Sequence, residues 1–337
     1  SGTSASKQRV HPFLTFPPFQ GAPFNAQPFA ARSDADNMSL GFTTSLEWDD
    51  GVGENTFGLD LRYLTQSIDQ FQNAFFFAPN TNFPLPKAEQ VNPGLFFERY
   101  TELDDRFSVR AGGRIDLVES NAENMAAGTN LQQGSVLTGA LTDNLEQVLE
   151  GDFDRSFTLG QAFLTTEFDV DENWTATSGL GFGMRAPTMT EMYTVGPLLS
   201  IVPQFLPNIM IGNPRLRSEK RYQIDVGLNA NFDNFRMGGS GYYAFIEDYI
   251  TLEHFNPPGG VQFAWTNTDL ATLAGFDFYS EWDAADSITV FGTLEFVEGR
   301  DRARNSNAVL NGNNPTGTFR SQVNRPDEPL LGIAPLE

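Results

Sequence analysis

Between Arg106 and Leu117 the chain reads Arg106-Phe107-Ser108-Val109-Arg110-Ala111-Gly112-Gly113-Arg114-Ile115-Asp116-Leu117. Phe107, Val109, Ala111, Ile115 and Leu117 fall in one phase of a two-residue period, and Arg106, Ser108, Arg110, Arg114 and Asp116 in the other. Successive side chains of a strand point to opposite faces, so this is a strand with one apolar and one charged face. The pattern recurs. Phe57, Leu59, Leu61 and Tyr63 alternate with Thr56, Gly58, Asp60 and Arg62. Trp174, Ala176, Leu180, Phe182 and Met184 alternate with Thr175, Thr177, Gly179, Gly181, Gly183 and Arg185. Tyr222, Ile224, Val226 and Leu228 alternate with Arg221, Gln223, Asp225 and Asn229. About ten such strands are predicted between residues 38 and 298, most reaching the ~9–11 residues that cross a bilayer at a tilt. Residues 95–103 and 235–250 fit either face assignment.

The connections carry a second pattern. Short acidic turns at 49–54, 104–105, 171–173, 233–234 and 284–286 alternate with long segments at 66–92, 120–156, 186–218, 253–260 and 299–324. A sandwich gives no reason for such alternation, whereas an outer-membrane barrel joins its strands by short periplasmic turns and long extracellular loops. The predicted fold is therefore all-β: an antiparallel transmembrane β-barrel, in part. Residues 1–37 read as an extracellular-loop-like segment, 38–298 as the strands, and 299–337 as a loop with the start of a further strand. Asp143 and Glu146 have capping-box spacing and predict a turn or two of helix inside one long loop.

Composition narrows the class further. Thirty-one Phe, 8 Tyr and 4 Trp in 337 residues do not belong to a disordered acidic chain. With 21 Lys+Arg against 43 Asp+Glu, the net charge of −22 leaves no basic stripe for nucleic acid. The absence of Cys removes disulfides and thiolate metal sites. No apolar run reaches the ~18 residues of a membrane helix, so strands are the route through a bilayer. His11 and His254 are the only histidines, and Gly239-Ser240-Gly241 fails the nucleophile-elbow pattern, so no catalytic centre, metal or cofactor is expected. Gly179-x-Gly181-x-Gly183 lacks the spacing and following helix of a nucleotide loop and reads as close packing on one strand face. Asp169-x-Asp171-x-Asn173 starts like a calcium loop, but Trp174 and Leu180 stand where the turn Gly and bidentate Glu belong.

The charged phase supplies the first candidate site. Asp60, Arg62, Arg106, Arg110, Arg114, Asp116, Arg221 and Asp225 must face a polar lumen, since each midplane Arg toward lipid costs ~2–4 kcal/mol. An ion-pair lattice ranks above solute contact for them. Ligand-binding candidates are the aromatics of the long connections: Phe75, Phe76, Phe77 and Tyr193 first, with Phe71, Phe83 and Phe13, Phe16, Phe19, Phe24 and Phe29 near the start. Packing between loops, or a place in the aromatic girdle, is the competing reading.

One region points to a family. Arg185-Ala186-Pro187-Thr188-Met189-Thr190-Glu191, followed by Gly212-Asn213-Pro214-Arg215-Leu216-Arg217-Ser218-Glu219, resembles the barrel of TonB-dependent outer-membrane receptors. There a rising strand ends in Arg-Ala-Pro-Thr with a following Glu, and Gly-Asn-Pro-x-Leu-x-x-Glu announces the next strand. Trp265-Thr266-Asn267 leading to Ala274-Gly275-Phe276-Asp277-Phe278, and Ile333-Ala334-Pro335-Leu336, look like the same family in the same order. The resemblance implies a fragment, since members carry a plug domain, a TonB box and about 22 strands. It also implies energised import of a scarce bulky solute, a ferric siderophore first. The implied partners are the plug, the TonB complex and outer-membrane lipid, in the outer membrane of a Gram-negative-type bacterium, with no covalent chemistry. Arg185, Pro187, Glu191, Gly212, Asn213, Pro214, Leu216 and Glu219 match the family pattern and are expected to fix loop geometry, Glu191 or Glu219 pairing with Arg185 or Arg217. A passive porin-type channel and a surface adhesion β protein remain rival readings of the strands.

Overall fold

The structure, a computed structural model, describes residues 2–10, 30–73, 80–122, 153–197, 209–255, 262–303 and 327–330. Its elements in chain order are β1 (Gly2–Val10), β2 (Ala30–Asp49), β3 (Glu54–Asn73), β4 (Asn80–Asp104), β5 (Phe107–Ala122), β6 (Arg155–Asp169) and β7 (Trp174–Arg185). There follow α1 (Met189–Tyr193), β8 (Val195–Pro197), β9 (Ile209–Ile211), β10 (Glu219–Phe232), β11 (Phe235–Phe255), β12 (Gln262–Ala285), β13 (Ile288–Asp301) and β14 (Glu328–Pro329). The wall runs β1 through β7, then β10 through β14, each strand antiparallel to the next, with β8 and β9 off this path. Its two ends do not pair with each other among the described residues, so the sheet is an open wall. The ten long strands β2–β7 and β10–β13 lie in the region where sequence periodicity predicts about ten.

Register keeps the two phases apart across the whole wall. Gly58, Phe96, Arg114, Gln161, Gly183 and Arg221 stand in one row of successive cross-strand partners. Asp60, Gly94 and Asp116 form the row beside it. The opposite phase is an apolar belt turned outward, with Leu59 42%, Ile115 59%, Leu180 56% and Ile224 51% exposed. Such a belt is a fault in water and the ordinary solution in hydrocarbon. The two strands with ambiguous phase follow the same rule. Phe97 and Leu95 join the outward belt while Phe96 turns inward, and Tyr243 and Phe245 go outward opposite Tyr242 and Ala244.

Where the strands leave the belt, the structure departs from the expected loops. β3 and β4 form a ladder through most of residues 66–92, and β1 pairs with β2 inside the segment expected to be a loop. Residues such as Gln66, Ser67, Asp69 and Gln70 are polar in both phases, because neither face of a ladder above the bilayer needs to be apolar. The predicted helix at Asp143–Glu146 lies outside the described residues.

The acidic turns are acidic for a local reason. Asp50 Oδ1 accepts from the amides of Val52 and Gly53, both at 3.0 Å, and Asp171 Oδ1 accepts from Asn173 and Trp174 at 2.8 and 3.0 Å. These are Asx turns, in which a short carboxylate replaces a backbone acceptor and lets two strands reverse. Asp171 is thus spent on a turn, the reading preferred over a calcium loop. Arg99 Nη1 adds a 2.7 Å ion pair to Asp50 from the neighbouring strand.

Four inward aromatics occupy the space over the glycine directly opposite: Phe96 at Gly58, Phe163 at Gly112, Tyr242 at Gly275 and Tyr279 at Gly238. A Cβ on Gly112 would come within 2.5 Å of the Phe163 ring, and one on Gly275 within 2.7 Å of Tyr242. Each pair fits at one register only, so together they pin the ladder.

Two tests follow from this geometry. Gly112→Val should force the Phe163 ring off the wall and cost about 1–3 kcal/mol of stability, as overpacking does; heat- or urea-induced loss of the folded electrophoretic band reads it. The hydrogen bond from Arg99, then the amide of Val52, hold the Asp50 carboxyl well below the ordinary carboxylate range. A lowered carboxylate stabilises above its unfolded pKa and loses that contribution as pH falls through its folded value. The β2–β3 turn should therefore stay closed through the ordinary carboxylate range and open only below it, by hydrogen exchange at Val52 and Gly53.

Candidate functional site on the inner wall

β7 stops at Arg185 because Pro187, two residues on, has no N–H for a ladder. Thr188 then caps α1: its Oγ1 accepts from the Glu191 amide at 3.2 Å, and Glu191 Oε2 accepts from the Thr188 amide at 2.7 Å. This capping box makes Glu191 face back toward the strand end. There its carboxylate meets Arg185 Nη1 at 2.9 Å, while Arg185 Nε meets Glu219 Oε2 at 2.7 Å. Glu219 stands directly opposite Arg185 on β10, and its other oxygen accepts the Ile250 amide at 2.7 Å. One guanidinium therefore ties β7, α1, β10 and β11 together. Arg217 takes a different partner, Asp248, at 2.6 Å.

The returning half of the segment is fastened as firmly. The Gly212 amide donates to Thr194 O at 2.5 Å and the Asn213 amide to Glu191 O at 2.9 Å. Asn213 Oδ1 accepts from the Arg215 amide at 2.9 Å, and its Nδ2 donates to Trp265 O at 3.2 Å. A Cβ on Gly212 would sit 2.6 Å from Met192 O, so backbone passes against backbone here and only glycine fits. Pro187, Pro214 and Leu216 are fully buried. The family-motif residues named from sequence thus converge on one structural knot.

That knot roots a bridge. β9 pairs in parallel with β12 at Gln262–Ala264, on the stretch of edge that β13 leaves free, since β13 joins β12 only from Ala271. β8 pairs with β9, and β8 and α1 both lie against β4. β4 and β12 are separated in the wall by β5, β6, β7, β10 and β11. The wall must curl for one short segment to touch both, and the segment crosses its concave inner side. The elements that meet there carry buried apolar side chains: Met189, Met192 and Tyr193 on the bridge, and Leu85 and Ala88 on β4, against which α1 lies. Tyr193, a ligand candidate by sequence, is completely buried there, its hydroxyl donating to Phe153 O at 2.7 Å. Phe75, Phe76 and Phe77 lie outside the described residues.

Below the bridge the charged phase forms a lattice. Arg114 reaches Asp116 Oδ2 through Nε at 2.7 Å and Asp60 Oδ1 through Nη2 at 2.8 Å. Gly94 lies between the two aspartates, and a Cβ there would collide with the Arg114 guanidinium and Asp116. Arg110 pairs with Glu98 at 2.9 Å and covers the Tyr100 ring, while Arg221 covers Tyr242 and Asp225 accepts from Gln223 at 2.5 Å. Arg62 stands opposite Asn92 in the row above Asp60. Arg106 is the exception to the expected lumenal set. It sits in the β4–β5 turn, where Nε donates to Asp169 O at 2.9 Å, because at a strand end its donors can cap the neighbouring turn's carbonyls. A groove of about 260 Å³ opens between lattice and bridge, bounded by Gln90, Asn92, Arg114, Gln161, Met184 and Arg185. A second hollow of like size adjoins it and shares Arg114 and Gln161, with Phe96 and Phe163 in its wall. The sequence carried a signal for the glycine–aromatic pairs, aromatic residues in the polar phase. It carried none for the bridge, which depends on contacts between distant strands.

A curled antiparallel wall, apolar outside and ion-paired inside, defines the class as transmembrane β-barrel. The chain belongs to the family of TonB dependent receptor-like β-barrels, whose model matches residues 4–332. Among solved structures the fold is similar to a copper transporter, OprC, with a TM-score of 0.62 and 19% identity over 83% of this chain and 40% of that one. It is also similar to the ferric yersiniabactin uptake receptor FyuA from Yersinia pestis, with a TM-score of 0.51 and 11% identity over 83% of this chain and 37% of that one. The chain therefore spans well under half the length of either structure. At these identities the likeness shows the fold alone. No curated protein matches by sequence.

The knot makes a quantitative demand. Arg185→Leu leaves Glu191 and Glu219, whose side chains are only 11% and 12% exposed, without their cation. Removing one member of such a group costs about 2–4 kcal/mol where the cation itself keeps contact with water. Arg185→Lys should recover only part of this, since an ammonium cannot fork between two carboxylates. Arg110→Leu, which breaks an exposed pair, should cost at most about 1 kcal/mol. Thermal unfolding of the three variants in the natural full-length protein ranks them.

Proposed function

We propose that the protein is the barrel wall of an energised outer-membrane importer for a scarce, bulky solute, with a ferric siderophore as first candidate. The observation that carries this reading is the inner wall. It is polar, ion-paired and lined by grooves, behind a belt fit only for lipid, in a family of TonB dependent receptor-like barrels. Two proteins of similar fold are, by name, a copper transporter and a ferric yersiniabactin uptake receptor, which supports a chelated or free metal as cargo. In this reading the chain sits in the outer membrane of a Gram-negative-type bacterium and works with a lumen-filling plug domain and the TonB complex. Catalysis is not assigned to it; the wall binds, orients and lets pass.

The test is uptake by cells that carry the natural full-length protein under iron limitation. Accumulation of radio-iron supplied as ferric siderophores should depend on the protein and stop when the TonB complex is deleted or the proton gradient collapsed. Accumulation that persists without energy would make the protein a passive channel. Energised accumulation of copper but not of iron would keep the importer and replace the cargo.

A further inference from the structure

We propose that the bridge carries a detachable latch: β8 and β9 leave their seat on β12 together, while α1 and the Arg185 knot keep the segment rooted to the wall. Docked, the β8–β9 pair spans the concave side from β12 to β4; released, it clears that side. The motion stands on the geometry alone. Its role as a gate rests on the import reading.

The two parts of the bridge are fastened very unequally. At the root, Arg185 forks between Glu191 and Glu219, the capping box closes α1, and the Gly212 and Asn213 amides donate to Thr194 O and Glu191 O. At the seat, β9 meets β12 through three residue pairs, Ile209 with Gln262, Met210 with Phe263 and Ile211 with Ala264. They run parallel, the weaker of the two ladder types, whereas every neighbouring pair of the wall path is antiparallel. Beyond the pairs, Asn213 Nδ2 reaches Trp265 O at 3.2 Å, a bond at the root end that release of the seat leaves in place.

Unmet polar groups stand at both ends of this short ladder. Thr194, where α1 passes into β8, is 2% exposed, and its Oγ1 has no hydrogen-bond partner among the described residues. Trp265 and Thr266 are the next two residues of β12 past the seat; Trp265 Nε1 and the Oγ1 of Thr266, 5% exposed, are likewise buried and unmet. A donor or acceptor buried without a partner opposes the arrangement that buries it, and water relieves that cost once the strands part. Release also spares the wall. β12 keeps its ladder to β11 from Gln262 to Trp282, and β13 joins its other edge only from Ala271, with the Arg302 amide reaching Leu270 O. The seat can therefore open without breaking a hydrogen bond between the long strands, which is the pattern of a local opening unit.

Hydrogen exchange in the unmodified, natural full-length protein reads the motion. The amides of Ile209–Ile211 are expected to exchange at least about tenfold faster than those paired between Trp174–Arg185 and Glu219–Phe232, as a unit that opens by itself does. Met210→Cys with Phe263→Cys then locks the seat, because paired strands lie ~5 Å apart, within disulfide reach. Oxidation should slow that exchange at least tenfold and lower energised uptake of ferric-siderophore radio-iron by a similar factor, with a reductant restoring both. Either cysteine alone should do neither. Exchange in Ile209–Ile211 as slow as in the wall ladder would overturn the latch and make the bridge a fixed strut. A lock that slows exchange and leaves uptake unchanged would overturn the gate. Fast, lock-sensitive exchange in a protein that shows no energised uptake at all would sink the import reading and uphold the motion.

Discussion

Hydrocarbon offers no hydrogen bonds, so every N–H and C=O that crosses it must be paired by the chain itself. The rest of this structure follows from that constraint. It sets the long unbroken ladders of the wall, from Trp174–Arg185 against Glu219–Phe232 to Phe235–Phe255 against Gln262–Ala285. It also sets where irregularity is allowed. The helix, the tight Gly212 passage and the parallel β9–β12 pairing occur together on the inner side of the wall, where protein and water can satisfy the backbone. Asx turns close the opposite end, with short side-chain carboxylates supplying the missing acceptors.

Within that frame the same chemical pairing does two different jobs. At Arg114 a guanidinium passes over a residue that must be glycine and bridges two carboxylates of the same sheet. The outcome is a polar, ion-paired surface that keeps one negative charge in excess. At Arg185 the guanidinium stands at a strand end and joins elements that would otherwise part: a strand, a capped helical turn and the strand that receives the returning chain. The carboxylates at Arg185 are the helix cap and a ladder neighbour, so charge, capping and register fail or hold as one unit.

Much of this was legible in the sequence, and the reason is dimensional. A strand in a bilayer has one solvent on each side, so Ile115 against Arg114, or Ile224 against Asp225, states its face without reference to anything distant. The knot was legible because its parts, Arg185 through Glu191 and Gly212 through Glu219, are nearly contiguous. Legibility ended where one side of a strand stopped differing from the other, as at Gln66–Gln70, where both faces meet water. It ended also where placement depends on tertiary contact. Nothing local to Tyr193 distinguishes a ring offered to a ligand from one sealed under Phe153, and nothing local to Arg106 shows that its donors serve the next turn.

The bridge has a consequence for the order in which the molecule comes together. Its supports, β4 at one end and β12 at the other, are far apart in sequence and lie on opposite flanks of α1 and β9. Neither support exists until the neighbouring hairpins have zipped and the sheet has curled, and closing such long chain loops early would cost entropy with no contact to offset it. Hairpin pairing is local and can proceed strand by strand; the bridge is non-local and comes late. Its docking is therefore a record that the curvature of the wall is already correct.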